Sequence, residues 1–93
     1  MKRAACLDKA KRLVTRQRAA QHGDFAETYG PVAEMWSTYI ASRHGAAVKL
    51  TAHDCAMMMA LLKIGRAAKN SGYADNYVDG AGYLALAGEG KSK

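Results

Sequence analysis

Ninety-three residues carrying 14 Lys plus Arg against eight Asp plus Glu, a net charge of +6, make one basic domain with room for a single hydrophobic core. Two cysteines outside any C-x-x-C pattern exclude a disulfide framework, and the lack of an unbroken apolar run of about 18 residues excludes a membrane span. One proline among abundant Ala, Leu and Met favours helix over sheet, and the charged first segment lacks the apolar stretch of a signal peptide, so a soluble, cytoplasmic, all-α protein is expected.

Seven of the 14 positive charges lie before residue 19 with only Asp8 against them, which leaves seven of each sign in the rest of the chain. Residues 2–22 put Arg3, Cys6, Leu7, Ala10, Leu13, Val14 and Gln17 on one side of a 3.6-residue wheel, and Lys2, Lys9, Arg12 and Arg16 on the other. An amphipathic helix ending at Gly23 is predicted. Its basic stripe reads as a solvated face or as a contact for phosphate or an acidic protein, with Lys9, Arg12 and Arg16 as the partner-binding candidates. No aromatic residue interrupts the stripe, so base stacking is not signalled.

Tyr29-Gly30-Pro31 reads as a turn with proline at the first helical position, predicting a second helix over residues 31–44 that stops at Gly45. Val32, Met35, Trp36, Tyr39 and Ile40 recur along it at helical spacing, and Trp36 is the expected core anchor. Residues 51–69 form the third helix, apolar on every side from Cys55 to Ala68 except at Lys63 and Arg66; such a helix is expected to be buried at the centre of a bundle. Thr51 and Asp54 have the spacing of a capping box, which competes with a metal-ligand or base role for Asp54. His44 and His53 stand at no zinc-ligand spacing.

Asn70-Ser71-Gly72 breaks the chain, and residues 73–88 follow as a fourth helix with Asp75, Asp79, Gly82 and Leu86 on one stripe. Gly80 and Gly82 each cost about 1 kcal/mol relative to Ala in a helix, so tight packing or a kink is expected there. A single domain over residues 1–88 with a disordered tail over 89–93 completes the expected architecture, a four-helix bundle that self-associates because so short a chain leaves apolar surface uncovered.

The short third connection makes the last two helices neighbours and brings Lys63 and Arg66 towards Asp75 and Asp79. Two readings stay open. The four residues form a salt-bridge cluster that fixes helix register, or they form a site in which Asp75 and Asp79, with Asp54 or Glu34 as a further carboxylate, hold Mg2+ while Lys63 and Arg66 bind phosphate.

The ordered blocks Y-G-P-V-A-E-M-W-S-T-Y-I, H-D-C-A-M-M-M-A-L-L-K-I-G-R and D-N-Y-V-D-G-A-G-Y-L-A-L, spanning about Tyr29 to Glu89, resemble those of a family of small uncharacterised phage and prophage proteins. The same outline is similar, at a distance, to phage nucleotide-modification-associated domains, and further off to the MazG-like nucleotide pyrophosphohydrolases. Of the two acidic blocks with which MazG-like enzymes hold Mg2+, Asp79 and Asp75 fit the second in role at a spacing of four; the first is absent, Glu34 being the sole acid of residues 31–44. The resemblance implies a phage accessory protein that binds a nucleotide or phosphorylated ligand, with Mg2+ as the candidate cation. The competing expectation is a non-enzymatic basic module that docks on nucleic acid or an acidic protein, for example an anti-defence factor.

Overall fold

A computed structural model describes residues 1–17 and 25–92 of the chain. Among them are four α-helices and no strand: α1 (Arg3–Arg12), α2 (Phe25–His44), α3 (Ala52–Lys69) and α4 (Ala74–Ser92). A π-helical turn, Leu13–Gln17, continues α1. The architecture is all-α, as composition and periodicity predict. The latter part of the expected first helix, including its stop at Gly23, lies outside the described residues.

The centre of the bundle is α4 and not α3. Every other element packs on α4, most extensively α3, while α2 leans mainly on α3. Val78, Tyr83 and Ala87 of α4 are buried, together with the polar Asn76. Small residues explain the choice, because Gly80, Ala81, Gly82 and Ala87 let neighbouring backbones approach. The expectation of a fully buried third helix is therefore corrected: α3 buries Cys55, Ala56 and Ala60 on one face, while Leu61 is 62% and Ile64 57% exposed on the other. An all-round apolar composition states what a helix is able to bury, and the chain supplies helices for only one of its faces.

Gly82 is the glycine that packing requires. A Cβ there would stand 3.3 Å from Val14 Cγ1, so the π-helical turn rests on the bare backbone of α4. At Gly80 the corresponding atom would meet Lys63 Cβ at 3.6 Å, an ordinary contact. Gly82→Val is expected to lower stability by about 1 kcal/mol through overpacking against Val14 despite its better helix propensity. A urea midpoint equal to or above that of the native protein would show that the turn does not depend on this contact.

Two boundaries differ from expectation. α2 begins at Phe25, ahead of Pro31, which lies inside the helix and deprives the Glu27 carbonyl of its usual N–H partner. The early turns are held by aromatic packing: the Phe25 and Tyr29 ring centroids are 5.2 Å apart, and Tyr29 meets buried Tyr83 of α4 edge-on at 6.4 Å. Trp36 is half-buried and Tyr39 67% exposed, so Ala33 replaces the tryptophan as the residue of α2 set deepest in the core. At the other end of the chain α4 runs through Ser92, past the expected end at residue 88. Glycines weaken a growing helix without ending it, and Gly88 and Glu89 both have interaction partners.

The stop at Gly45 reads as expected. Gly45 ends α2 with φ +82, the left-handed conformation that glycine adopts without strain, and donates its N–H to the Ala41 carbonyl at 2.9 Å. The chain is then tied back by the Leu50 N–H, which donates to Ser37 Oγ at 2.8 Å.

Candidate functional site

Asp54 closes the cap of α3. The Thr51 N–H donates to Asp54 Oδ2 at 2.8 Å and the Asp54 N–H donates to Thr51 Oγ1 at 3.2 Å, a reciprocal capping box. Asp54 is thereby a helix-start residue, and it also acts on its neighbour. Cys55 is wholly buried, and burial, reinforced by the Asp54 carboxylate, pushes its thiol pKa up. Its neutral form is thus favoured by folding, a contribution present below the pKa of the unfolded thiol and lost as pH rises through the higher folded value. A thiol reagent at pH 8 is expected to titrate Cys6, which is partly exposed, rapidly, and Cys55 at least 100-fold more slowly until denaturant is added. Two equally fast thiols in the native protein would contradict this burial.

Of the four residues expected to converge between the last two helices, two meet. Lys63 Nζ lies 3.0 Å from Asp79 Oδ2, with the two side chains 15% and 26% exposed. Asp75 is exposed at the start of α4 and accepts a hydrogen bond from the Tyr73 hydroxyl at 3.3 Å. Arg66 is exposed and belongs to no ion pair among the described residues. The expected cluster is thus divided: its inner half is a salt bridge, and its outer half leaves a cation facing a groove.

The carboxylates do not gather as a Mg2+ site would need. Glu34 is exposed on α2, Asp54 caps α3, Asp79 pairs with Lys63, and among the described residues no three His, Cys, Asp or Glu side chains come together. Mg2+ held through one or two carboxylates leans on substrate phosphates for its remaining ligands. On α1, Lys9 and Arg12 are exposed as their wheel positions predict; the Arg16 side chain lies outside the described residues.

The groove is formed where α3 ends and α4 begins. It has a volume of about 530 Å³ and is lined by Leu62, Gly65, Arg66, Lys69, Asn70, Tyr73 and Asn76. Arg66 and Lys69 lie three residues apart in the last turn of α3, where cations also complement the helix dipole. Asn76 is 5% exposed, and among the described residues its side-chain amide has no hydrogen-bond partner. No fully buried side-chain N or O atom of the described residues lacks a partner, and Asn76 lines both this groove and the one beside Lys63. The arrangement offers two cations, an unspent amide, and an aromatic and aliphatic wall within one opening of small-molecule size.

Lys69, Tyr73 and Asn76 were not among the residues singled out from the sequence. The spacing of Arg66 and Lys69 carried the signal for the first; Asn76 carried none, since an asparagine in D-N-Y-V reads as solvent-facing.

Comparisons with known proteins give the chain a family. The model of a family described as a domain of unknown function, DUF6378, matches residues 5–91. The chain is 39% identical over 80 residues to the Gene 55 protein of Mycobacterium phage L5, an alignment covering 86% of the chain and 48% of the phage protein. The chain thus spans about half the length of that relative. No solved structure matches.

Proposed function

From the premise that this chain belongs to the DUF6378 family and has a phage-encoded relative, we propose that it is a phage accessory protein binding a nucleotide or other phosphorylated small ligand in the groove between α3 and α4. The observation that carries the reading is the buried, unspent amide of Asn76 lining the same opening as unpaired Arg66 and Lys69. Arginine suits the task because its planar fork matches two phosphate oxygens, and lysine adds a point charge. Tyr73 and Leu62 supply a flat and an apolar surface for a base, and Asn76 presents donor and acceptor together, as the edge of a nucleobase does.

Lys63, the second phosphate candidate from the sequence, has a structural task in this reading because Asp79 already neutralises it. Phosphate contact falls to Arg66 and Lys69. Isothermal titration with nucleoside mono- and triphosphates, with and without Mg2+, tests the proposal. Saturable heat with at least one nucleotide is expected. The absence of heat from every nucleotide in both conditions would reject it, and heat that appears with Mg2+ alone would return Asp75 or Asp79 to the site as a metal ligand. A steep salt dependence abolished by reversing Lys9 and Arg12, rather than Arg66, would favour the basic face of α1 as the binding surface.

A further inference from the structure

The whole of the chain's +6 comes from the residues before 19, where seven cations face only Asp8; the rest of the chain carries seven charges of each sign. On the described part of that segment Lys2, Lys9, Lys11 and Arg12 are exposed and, unlike Lys63, belong to no ion pair among the described residues. At about 100° per residue, Lys9 and Lys11 stand on opposite flanks of the outward face of α1 with Arg12 between them. Half-buried Cys6, Leu13 and Val14 and buried Ala10 occupy the other side. α1 packs on α4 and on no other helix to a like extent, so its basic face is turned away from the bundle. Cations in a last turn ordinarily offset the helix dipole. Here the π-helical turn Leu13–Gln17 carries the helix past Arg12, which leaves Lys9 and Arg12, three residues apart, in mid-helix and repelling one another.

We infer that the outward face of α1 binds double-stranded DNA through its phosphate backbone, without preference for base sequence. Unspent cations gathered on one face call for a polyanion, and contact with phosphate removes their mutual repulsion. No aromatic residue lies on α1, so the stacking platform on which single strands depend is missing from this face. An acidic protein would need an aromatic or large apolar anchor at the centre of the contact. The outward face presents Asp8, Lys9, Lys11 and Arg12 instead, and the exposed Leu7 lies to the side, on a cavity it shares with Tyr77. Helix size separates the two kinds of duplex. A helix about 10–12 Å across fits the major groove of B-DNA, about 12 Å wide, whereas the deep, narrow groove of duplex RNA shuts it out. With α1 in that groove, the opposite flanks of Lys9 and Lys11 serve the two phosphate walls, and Lys2 and Arg12 extend the contact along them.

This surface goes beyond the ligand reading and does not rest on it, since Lys9 and Arg12 belong to α1 and Arg66 to α3. Fluorescence anisotropy of a labelled mixed-sequence duplex of about 20 base pairs, titrated with the intact protein, is the test. Four phosphate contacts give a log–log salt slope of about −3.6, a loss of about 100-fold in affinity between about 50 and 200 mM KCl. The Lys9→Ala, Arg12→Ala double variant should reduce the slope by about 2 and weaken binding at least about 10-fold at the lower salt. Both residues are exposed, so its helical circular dichroism should match that of the native protein. Arg66→Ala should leave duplex affinity unchanged. No binding at about 50 mM KCl overturns the inference, and so does a slope that the α1 double variant leaves unaltered. A single strand bound as tightly as the duplex would move the site to a stacking surface, and displacement of the duplex by polyglutamate at equal charge would make the partner an acidic protein. Either result also overturns it.

Discussion

Asp79→Asn lowers the free energy of unfolding by about 2 kcal/mol, and Lys63→Met lowers it by about half as much. The asymmetry follows from burial. Removing the carboxylate strands the ammonium of Lys63, whose side chain is 15% exposed, whereas removing the lysine leaves Asp79, at 26%, better able to rehydrate. A surface pair would contribute next to nothing, and a fully buried one would cost about 3–5 kcal/mol when broken; this pair lies between. For a domain of this size a 2 kcal/mol loss appears as a fall of about 10 °C in Tm.

The double variant Lys63→Met, Asp79→Leu should regain most of the loss, because two apolar side chains of similar volume remove both desolvation penalties together. The pair then defines a coupling energy in a double-mutant cycle. Additive single effects would mean that each residue acts through its own packing and that the 3.0 Å contact locks nothing. The contact also sits beside Gly80, where an added Cβ would stand 3.6 Å from Lys63 Cβ, so the cycle reports on the register of α3 against α4.

What the sequence revealed and what it hid divide along the range of the forces involved. The Thr51 and Asp54 cap and the Gly45 stop were legible because each is satisfied within a few residues of backbone. The Lys63 to Asp79 pair was legible for a related reason, since a short turn leaves α3 and α4 few ways to pack. Pro31 misled as a helix start because the turns before it are held by Tyr83 of α4, a residue more than 50 positions away along the chain. The burial of α3 was misread because an apolar pattern records what a helix seeks to cover and not how many neighbours are at hand to cover it. The site shows the same division: Arg66 stands out as a charge among apolar residues, while Asn76 is set apart only by tertiary burial.

The largest expected effect on binding belongs to Arg66. Arg66→Ala should weaken nucleotide affinity about 10- to 100-fold, the equivalent of one or two charge-assisted hydrogen bonds. Arg66→Lys should recover only part of that loss, since a point charge replaces a bidentate fork. Lys69→Ala should cost less, about 10-fold, and Asn76→Ala should change which base is preferred more than how tightly the phosphate is held. Arg66 is exposed and makes no ion pair among the described residues, so its removal should leave Tm within about 1 °C of the native value. That separation of affinity from stability makes the experiment decisive, because Asp79→Asn predicts the reverse, a lower Tm with affinity nearly unchanged once the protein is folded. If Asp79→Asn instead abolishes binding at temperatures where the chain remains helical, the salt bridge belongs to the site, and the phosphate is held deeper between α3 and α4 than the groove beside Arg66.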